Sequence, residues 1–183
     1  LENCVINGVA PTGTPVGSAT VRRTMRGIVA SIATSKFTPG VGGFPAGTML
    51  TEEQLNTALR TIWQNSSGQV DLIVVNGRQK RAISQFVATN QRFSAEGEMY
   101  KNLVSVDESD FGVCRVVLSR WVPLGMVLLL DSSRIEVLPL AGRSFHFKPL
   151  AATGDREAGQ IIGEYTTEFR NESAHGVIKG LLV

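Results

Sequence analysis

The order of apolar and polar positions is most regular in the last third of the chain. Residues 127–130 read VLLL, an unbroken apolar run of strand length. Asp131-Ser132-Ser133 follows with turn chemistry. Residues 134–138 read RIEVL, where Ile135 and Val137 alternate with Arg134 and Glu136, the period-2 pattern of a half-buried strand. Residues 144–148 alternate as well, with Phe145 and Phe147 on one side and His146 on the other. After a turn at Thr153-Gly154-Asp155, residues 160–170 form a long segment of strand preference, carrying Tyr165, Thr166, Thr167 and Phe169. Asn171-Glu172-Ser173 ends it, and residues 175–183 supply a last short apolar segment.

Upstream the period changes. Leu1, Val5 and Val9 are spaced for one helical face, ended by Gly8 or Gly13. Residues 10–20 read as a loop, 27–32 as a short apolar segment, and 34–47 as a longer loop with a flexible tip containing GVGGFPAG. The strongest helix start is at Thr51. It is placed as an N-cap, Gln54 completes a capping box, Leu50 and Leu55 occupy staple positions, and Glu52 and Glu53 suit the positive end of the helix dipole. Leu55, Leu59, Ile62 and Trp63 continue as an apolar stripe until residues 65–68. Residues 70–75 read as a buried central strand despite Asp71. Asn76-Gly77 turns the chain into a second helix over 78–88, with Ala82, Ile83, Phe86 and Val87 on its apolar side. Residues 103–107 and 113–118 read as two strands joined through 109–112. Helix, buried strand, helix and then strands is an α+β pattern with mixed and antiparallel sheets and few helices.

Composition agrees with a folded chain that needs no staple. The 183 residues are 43% hydrophobic and 19% charged, and a chain this long buries roughly 70% of the surface its unfolded form exposes. Nineteen glycines and seven prolines indicate many turns. The net charge of +2 is too small to argue for nucleic-acid binding, although basic residues cluster at Arg22, Arg23 and Arg26 and at Arg78, Lys80 and Arg81. Those clusters suit solvated faces, ion pairs between subunits, or contact with packaged nucleic acid. Cys4 and Cys114 are far apart and lack C-x-x-C spacing, which suits two free thiols in a reducing compartment. No signal-peptide pattern opens the sequence, and the most apolar stretch, 122–130, is too short for a membrane span of about 20 residues.

Catalytic chemistry is not indicated. GVGGFPAGT departs from a P-loop, because Gly47 is followed by Thr48 and Met49 and not by Lys and Ser or Thr. It also departs from G-x-G-x-x-G, with Pro45 at the third glycine position. His146 and His175 stand apart, with no H-E-x-x-H or G-x-S-x-G motif; His146 is expected to face solvent or a neighbouring subunit, and His175 to sit at a turn. Glu164 and Glu168, and Asp155 and Glu157, read as ion-pair partners of Arg156 or Arg170. No catalytic, cofactor-binding or metal-ligating residue is therefore assigned.

Several long strings share one resemblance. TGDREAGQIIGEYTTEFRNESAHGVIKGL (153–181), preceded by LLLDSSRIEVLPLAGRSFHF (128–147), resembles the C-terminal part of a tailed-bacteriophage major capsid protein. The resemblance extends through VDLIVVNGRQKRAISQF, SDFGVCRVVLSR, ENCVINGVAP and RRTMRGI, in the same order, over nearly the whole chain. It implies the coat-protein fold that tailed phages share with herpesviruses and encapsulin shells, here lacking the N-terminal arm and extended loop. On that reading 1–27 is the end of a spine helix with a peripheral-lobe loop, 28–138 the axial lobe, 139–174 the peripheral-lobe strands, and 175–183 a final strand returning to the axial lobe. The implied function is structural and not enzymatic. The full-length protein would form pentamers and hexamers of an icosahedral phage head around double-stranded DNA, assembled in the bacterial host cytoplasm. Packaged DNA would be held weakly and non-specifically, with no cofactor, membrane or small-molecule substrate. The chain alone is expected to fold but to remain monomeric or in small rings. Other readings are an encapsulin-like shell, a small α+β enzyme, or a nucleic-acid-binding module.

Overall fold

The computed structural model describes residues 1–12, 18, 20–21, 23–91, 106–109, 111–151, 154–155 and 158–182. Side chains are described for these except at 87–91 and 106–109. In chain order the elements are α1 (Glu2–Asn7), α2 (Ile28–Ser31), β1 (Lys36–Phe37), α3 (Glu52–Asn65), β2 (Leu72–Val75), α4 (Gly77–Gln91), β3 (Val106–Ser109), β4 (Gly112–Leu118), β5 (Val127–Leu130), β6 (Ile135–Pro139), β7 (His146–Pro149), β8 (Gly159–Ile162), β9 (Tyr165–Phe169) and β10 (Gly176–Ile178). The fold is α+β, as the sequence pattern implied.

A six-stranded mixed sheet, ordered β1-β10-β5-β2-β4-β3, organises the molecule. Its central pair, β5 and β2, is antiparallel, with Ile73 opposite Leu129 and Val74 opposite Leu128. Both faces of this pair are covered. Ile73, Val75, Val127 and Leu129 pack with Leu55, Ala58, Leu59 and Ile62 of α3 and Ile83 of α4. Val74, Leu128 and Leu130 pack on the other face with Ile6, Ile28, Ile32 and Val122. A strand buried on both faces has no solvent side to mark with polar residues, which is why VLLL and LIVV are unbroken.

α3 begins as its sequence signals. Gln54 N donates to Thr51 Oγ1 at 3.3 Å, and Thr51 N donates to Gln54 Oε1 at 3.2 Å, closing the capping box. The apolar stripe is narrower than expected. Leu55, Leu59 and Ile62 are buried with Ala58, but Trp63 is 59% exposed and tilts against Phe111, with ring centroids 6.1 Å apart. Ile62 already fills the inward position, and the next residue is rotated about 100° away.

Other expectations shift for local reasons. Leu1 and Val9 flank α1, which ends at Asn7, so both are exposed and Ile6 is the buried residue. Gly8 closes it without a left-handed turn: a Cβ there would meet Met25 O at 2.1 Å. Residues 28–31 are helical, and the 34–47 loop contains β1, which pairs parallel to β10. The loop tip is not free. Phe44 is buried and stacks on Phe37 at 5.2 Å, while Gln54 Nε2 donates to the Pro45 and Gly47 carbonyls at 3.1 and 2.9 Å. The 160–170 segment is two strands in different sheets, β8 and β9, separated at Gly163-Glu164. The expected strand over 103–107 falls partly outside the described residues; β3 pairs antiparallel with β4.

The two-sided core and the cap carry distinct energies. Leu129→Ala is expected to cost about 2–5 kcal/mol, because β5 cannot collapse around a cavity between two packed layers. Thr51→Ala is expected to cost about 1 kcal/mol through loss of the capping hydroxyl. Urea unfolding of both variants checks the ranking.

Candidate assembly surface

Beyond the six-stranded sheet, β6 to β9 form a nested antiparallel ribbon. β6 pairs with β9 from Ile135 opposite Phe169 to Pro139 opposite Tyr165. Further out, β7 pairs with β8, setting Phe147 opposite Ile161. The base of the ribbon packs on the core through Ile135 and Phe169. Its tip does not: Phe145, Phe147 and Ile161 are 62%, 66% and 74% exposed. Phe145 and Phe147 instead lie over glycines. A Cβ on Gly159 would stand 2.1 Å from the Phe147 ring, and one on Gly163 would stand 2.7 Å from the Phe145 ring. Phe145 also contacts the Tyr165 ring at 4.7 Å, and Tyr165 Oη accepts the Phe145 N–H at 3.1 Å. An isolated two-stranded hairpin is marginal in water, which makes this exposed apolar tip the candidate assembly surface.

Charges lie along the ribbon in ion pairs. Glu164 pairs with both Arg23 and Arg143. Arg170 reaches Glu168 at 2.8 Å and Glu136 at 3.3 Å. The Arg170 hydrogen bond holds the Glu168 carboxyl below its usual value, and Glu168 in turn raises Arg170. These are solvent-exposed pairs of small energetic weight. Arg156 and Glu157 lie outside the described residues; Glu164 is partnered by Arg143 and by Arg23 of the first basic cluster, and not by Arg170.

The ribbon joins the sheet through two chain crossings, 131–134 and 170–175. Ser132 donates from N at 2.7 Å and from Oγ to the Asp71 carboxylate, fixing the first crossing to the start of β2. Asp131 accepts from Ser133 N at 3.1 Å and from Arg134 Nε at 2.9 Å. Burial would raise the Asp131 carboxyl, but the bonds from Ser133 and Arg134 outweigh it and hold the group below its ordinary value. Arg170 N donates to Arg134 O at 2.9 Å, tying one crossing to the other. Glu172 accepts from Thr34 Oγ1, from Ala33 N at 2.8 Å and from Thr34 N at 3.1 Å. The Thr34 hydroxyl, followed by the two amides, holds its carboxyl below the usual range. Asn171 makes this turn in the left-handed region, at φ 47°.

The sequence reading placed His175 at a turn; the structure buries it completely, between these crossings. Its Nδ1 accepts the Asp131 N–H at 3.1 Å, its Nε2 lies 3.3 Å from Arg170 O, and its ring lies 4.2 Å from Phe169. His146 is exposed, with Nδ1 2.9 Å from Ser144 O. The basic clusters are partly engaged within the chain. Arg26 donates to Ala30 O at 2.8 Å and Lys80 Nζ to Val116 O at 3.2 Å, while Arg22 is outside the described residues. Cys114 is buried, as expected, and donates to Val70 O at 3.3 Å. A hollow beside it, lined by Leu59, Trp63, Val70 and Phe111, encloses ≈ 10 Å³, room for about one water and far below a substrate pocket. Among the described residues no three His, Cys, Asp or Glu side chains gather to hold a metal, and no helix is long and apolar enough to cross a membrane.

The sequence matches the SU10 major capsid protein family over residues 1–182. The chain belongs to that family. The phage coat-protein resemblance is thereby borne out at the level of family. Among solved structures, this capsid-family chain is similar to the SrpI encapsulin of Synechococcus elongatus PCC 7942. The TM-score is 0.53 and the identity 14%, over 85% of this chain and 56% of that one. It is also similar to the virus-like particle of Pyrococcus furiosus, with a TM-score of 0.51 and 15% identity, over 83% and 57% of the respective chains. At such identities the likeness shows a common fold, the encapsulin-type shell fold implied by the resemblance. The chain spans a little over half the length of these two structures. A search of curated proteins gave no sequence match.

The Glu172 clamp yields a pH-dependent expectation. A carboxyl whose folded value is depressed contributes stability above its unfolded value and loses it as pH falls through the folded one. The amides of Ala33 and Thr34 are therefore expected to stay protected from hydrogen exchange at neutral pH. That protection should be lost only below the ordinary glutamate range, and Glu172→Ala, which removes the acceptor, should expose them already at neutral pH.

Proposed function

We infer that this capsid-family chain is a structural subunit that associates with copies of itself into a closed icosahedral phage head around double-stranded DNA. The observation that carries this reading is the family match along 182 residues. The exposed aromatic tip of the ribbon supports it, since a hairpin of this kind gains a dry face only from another molecule. A heterologous contact repeated around an axis closes into a ring, here a pentamer or hexamer. In this reading 28–138 is the axial lobe to which 175–183 returns, and 139–174, with 1–27, belongs to the peripheral lobe. The role is mechanical and not enzymatic. Assembly takes place in the bacterial host cytoplasm, and the finished location is the virion.

DNA contact is weak and non-specific on this reading, through Arg78 and Arg81 on α4 and similar exposed cations. A second reading, an encapsulin-like shell around protein cargo, draws on the fold similarity to the SrpI encapsulin.

Three measurements test these statements. Cryo-electron microscopy of particles containing the chain is expected to show it tiling a closed shell with DNA inside. Protein cargo would favour the encapsulin-like reading, and absence of the chain from closed particles would sink both. The double substitution Phe147→Ser and Ile161→Ser is expected to lower shell yield while costing the subunit no more than about 2 kcal/mol, from two exposed positions and the one cross-strand pair they form. DNA binding by the purified chain should vanish between about 50 and 200 mM salt, where a few phosphate contacts lose their counterion-release advantage.

A further inference from the structure

His175 occupies an unusual place for a titratable group. The chain passes between the six-stranded sheet and the ribbon twice, once out through 131–134 and once back through 170–175. One imidazole bonds to both passages. Nδ1 receives the Asp131 N–H of the outgoing crossing, and Nε2 faces the Arg170 carbonyl of the returning one. A backbone N–H can only donate, so Nδ1 must be the unprotonated nitrogen, and Nε2 must carry the hydrogen that meets the Arg170 oxygen. The geometry thus requires one tautomer of the neutral ring. The Phe169 ring beside it, at 4.2 Å, closes the ribbon side of the site.

We propose that His175 is a protonation latch: the neutral ring clamps the two crossings together, and uptake of a solvent proton at Nδ1 breaks the Asp131 bond and loosens the ribbon from the sheet. Protonation would set two N–H donors against each other, at a buried site where an unpaired charge is costly. The charged groups around the ring divide. Asp131, of the outgoing crossing, and Glu172, of the returning one, favour imidazolium, while Arg134 opposes it; the Arg170 guanidinium is engaged by Glu168 and Glu136. Burial dominates and pushes His175 below its ordinary value, although the Arg170 carbonyl pulls the other way.

The direction of the response follows. A base depressed in the folded state is neutral there while the unfolded chain still binds a proton. Its contribution is therefore complete above the ordinary histidine value of about 6.5 and declines as pH falls below it toward the folded value. The carboxyls of Asp131 and Glu172 are both held below their ordinary range and respond at lower pH, which separates the two windows. His146 is exposed and far along the ribbon, and plays no part.

The test is NMR on the purified chain, following the imidazole nitrogens of His175 and the hydrogen-exchange protection of the Asp131 amide from about pH 7.5 to about pH 5, the span in which histidine changes charge. The expected result is the Nε2–H tautomer at the upper end and a His175 midpoint below about 6.5. Protection at Asp131, corrected for intrinsic exchange, should fall at least ~10-fold along the same curve. His175→Gln, which keeps a donor and an acceptor without a titrating group, should flatten that curve, and His146→Gln should leave it unchanged. If His175→Gln does not fold, the wild-type titration decides alone. A midpoint at or above the ordinary value, the Nδ1–H tautomer, a ring that does not titrate in this span, or Asp131 protection that ignores the titration would each overturn the latch. None of these outcomes bears on whether the chain builds a shell.

Discussion

Everything in this fold depends on two strands being dry on both sides. β2 and β5 each turn alternate residues toward α3 and α4 and the remainder toward α1, α2 and Val122. Each buried aliphatic side chain contributes roughly 1.5–3 kcal/mol, an upper figure since the unfolded chain is not fully extended. More important is what the arrangement forbids. With no wet face, a one-residue slip of β5 against β2 would exchange the two cores at once, so the register is fixed from both sides. Neighbouring strands β10 and β4 inherit that register and place the crossings at 131 and 175 side by side.

Outside this slab the balance changes from apolar packing to polar fastening. The ribbon is joined to the sheet by carboxylates and one imidazole: Asp71 holds Ser132, Asp131 holds Ser133 and Arg134, Glu172 holds residues 33 and 34, and His175 holds both crossings. Directional bonds fix an angle that apolar contact alone leaves soft. Further out even these cease, and at the tip the aromatic rings lie on Gly159 and Gly163. The gradient from dry core to polar joint to bare aromatic tip suits a subunit whose centre must be rigid and whose periphery is completed by neighbours.

The sequence was most readable where one physical cause acted alone. Thr51 and Gln54 form their capping box because both halves of it are local, and the unbroken run 127–130 is a buried strand, as its length and the turn residues after it suggested. Readability failed where the deciding partner is distant. Trp63 continues an apolar stripe by spacing, yet Ile62 had taken the inward position and Phe111 offered the outer one. Residues 160–170 carry uniform strand preference, and only Gly163 hints that two sheets share them. His175 gave no sign of its burial, since its partners at 131 and 170 meet it through backbone atoms, which no residue type encodes. The phage coat-protein resemblance supplied the family and the fold, but not the ribbon's fastening.

The place of β10 has a consequence for the order of events during synthesis. It lies between β1 and β5, so that Lys36 and Phe37 have no strand to join until Val177 and Ile178 arrive. The gap in the sheet is closed by β10, after some 140 intervening residues have been made. The residues between Leu130 and Gly176 alone, at about 5–20 residues per second, leave a nascent chain for several seconds with one side of β5 unpaired. Until Gly176–Ile178 is made, the growing chain therefore exposes an open edge at β5, with unpaired N–H and C=O groups that can template pairing with another chain.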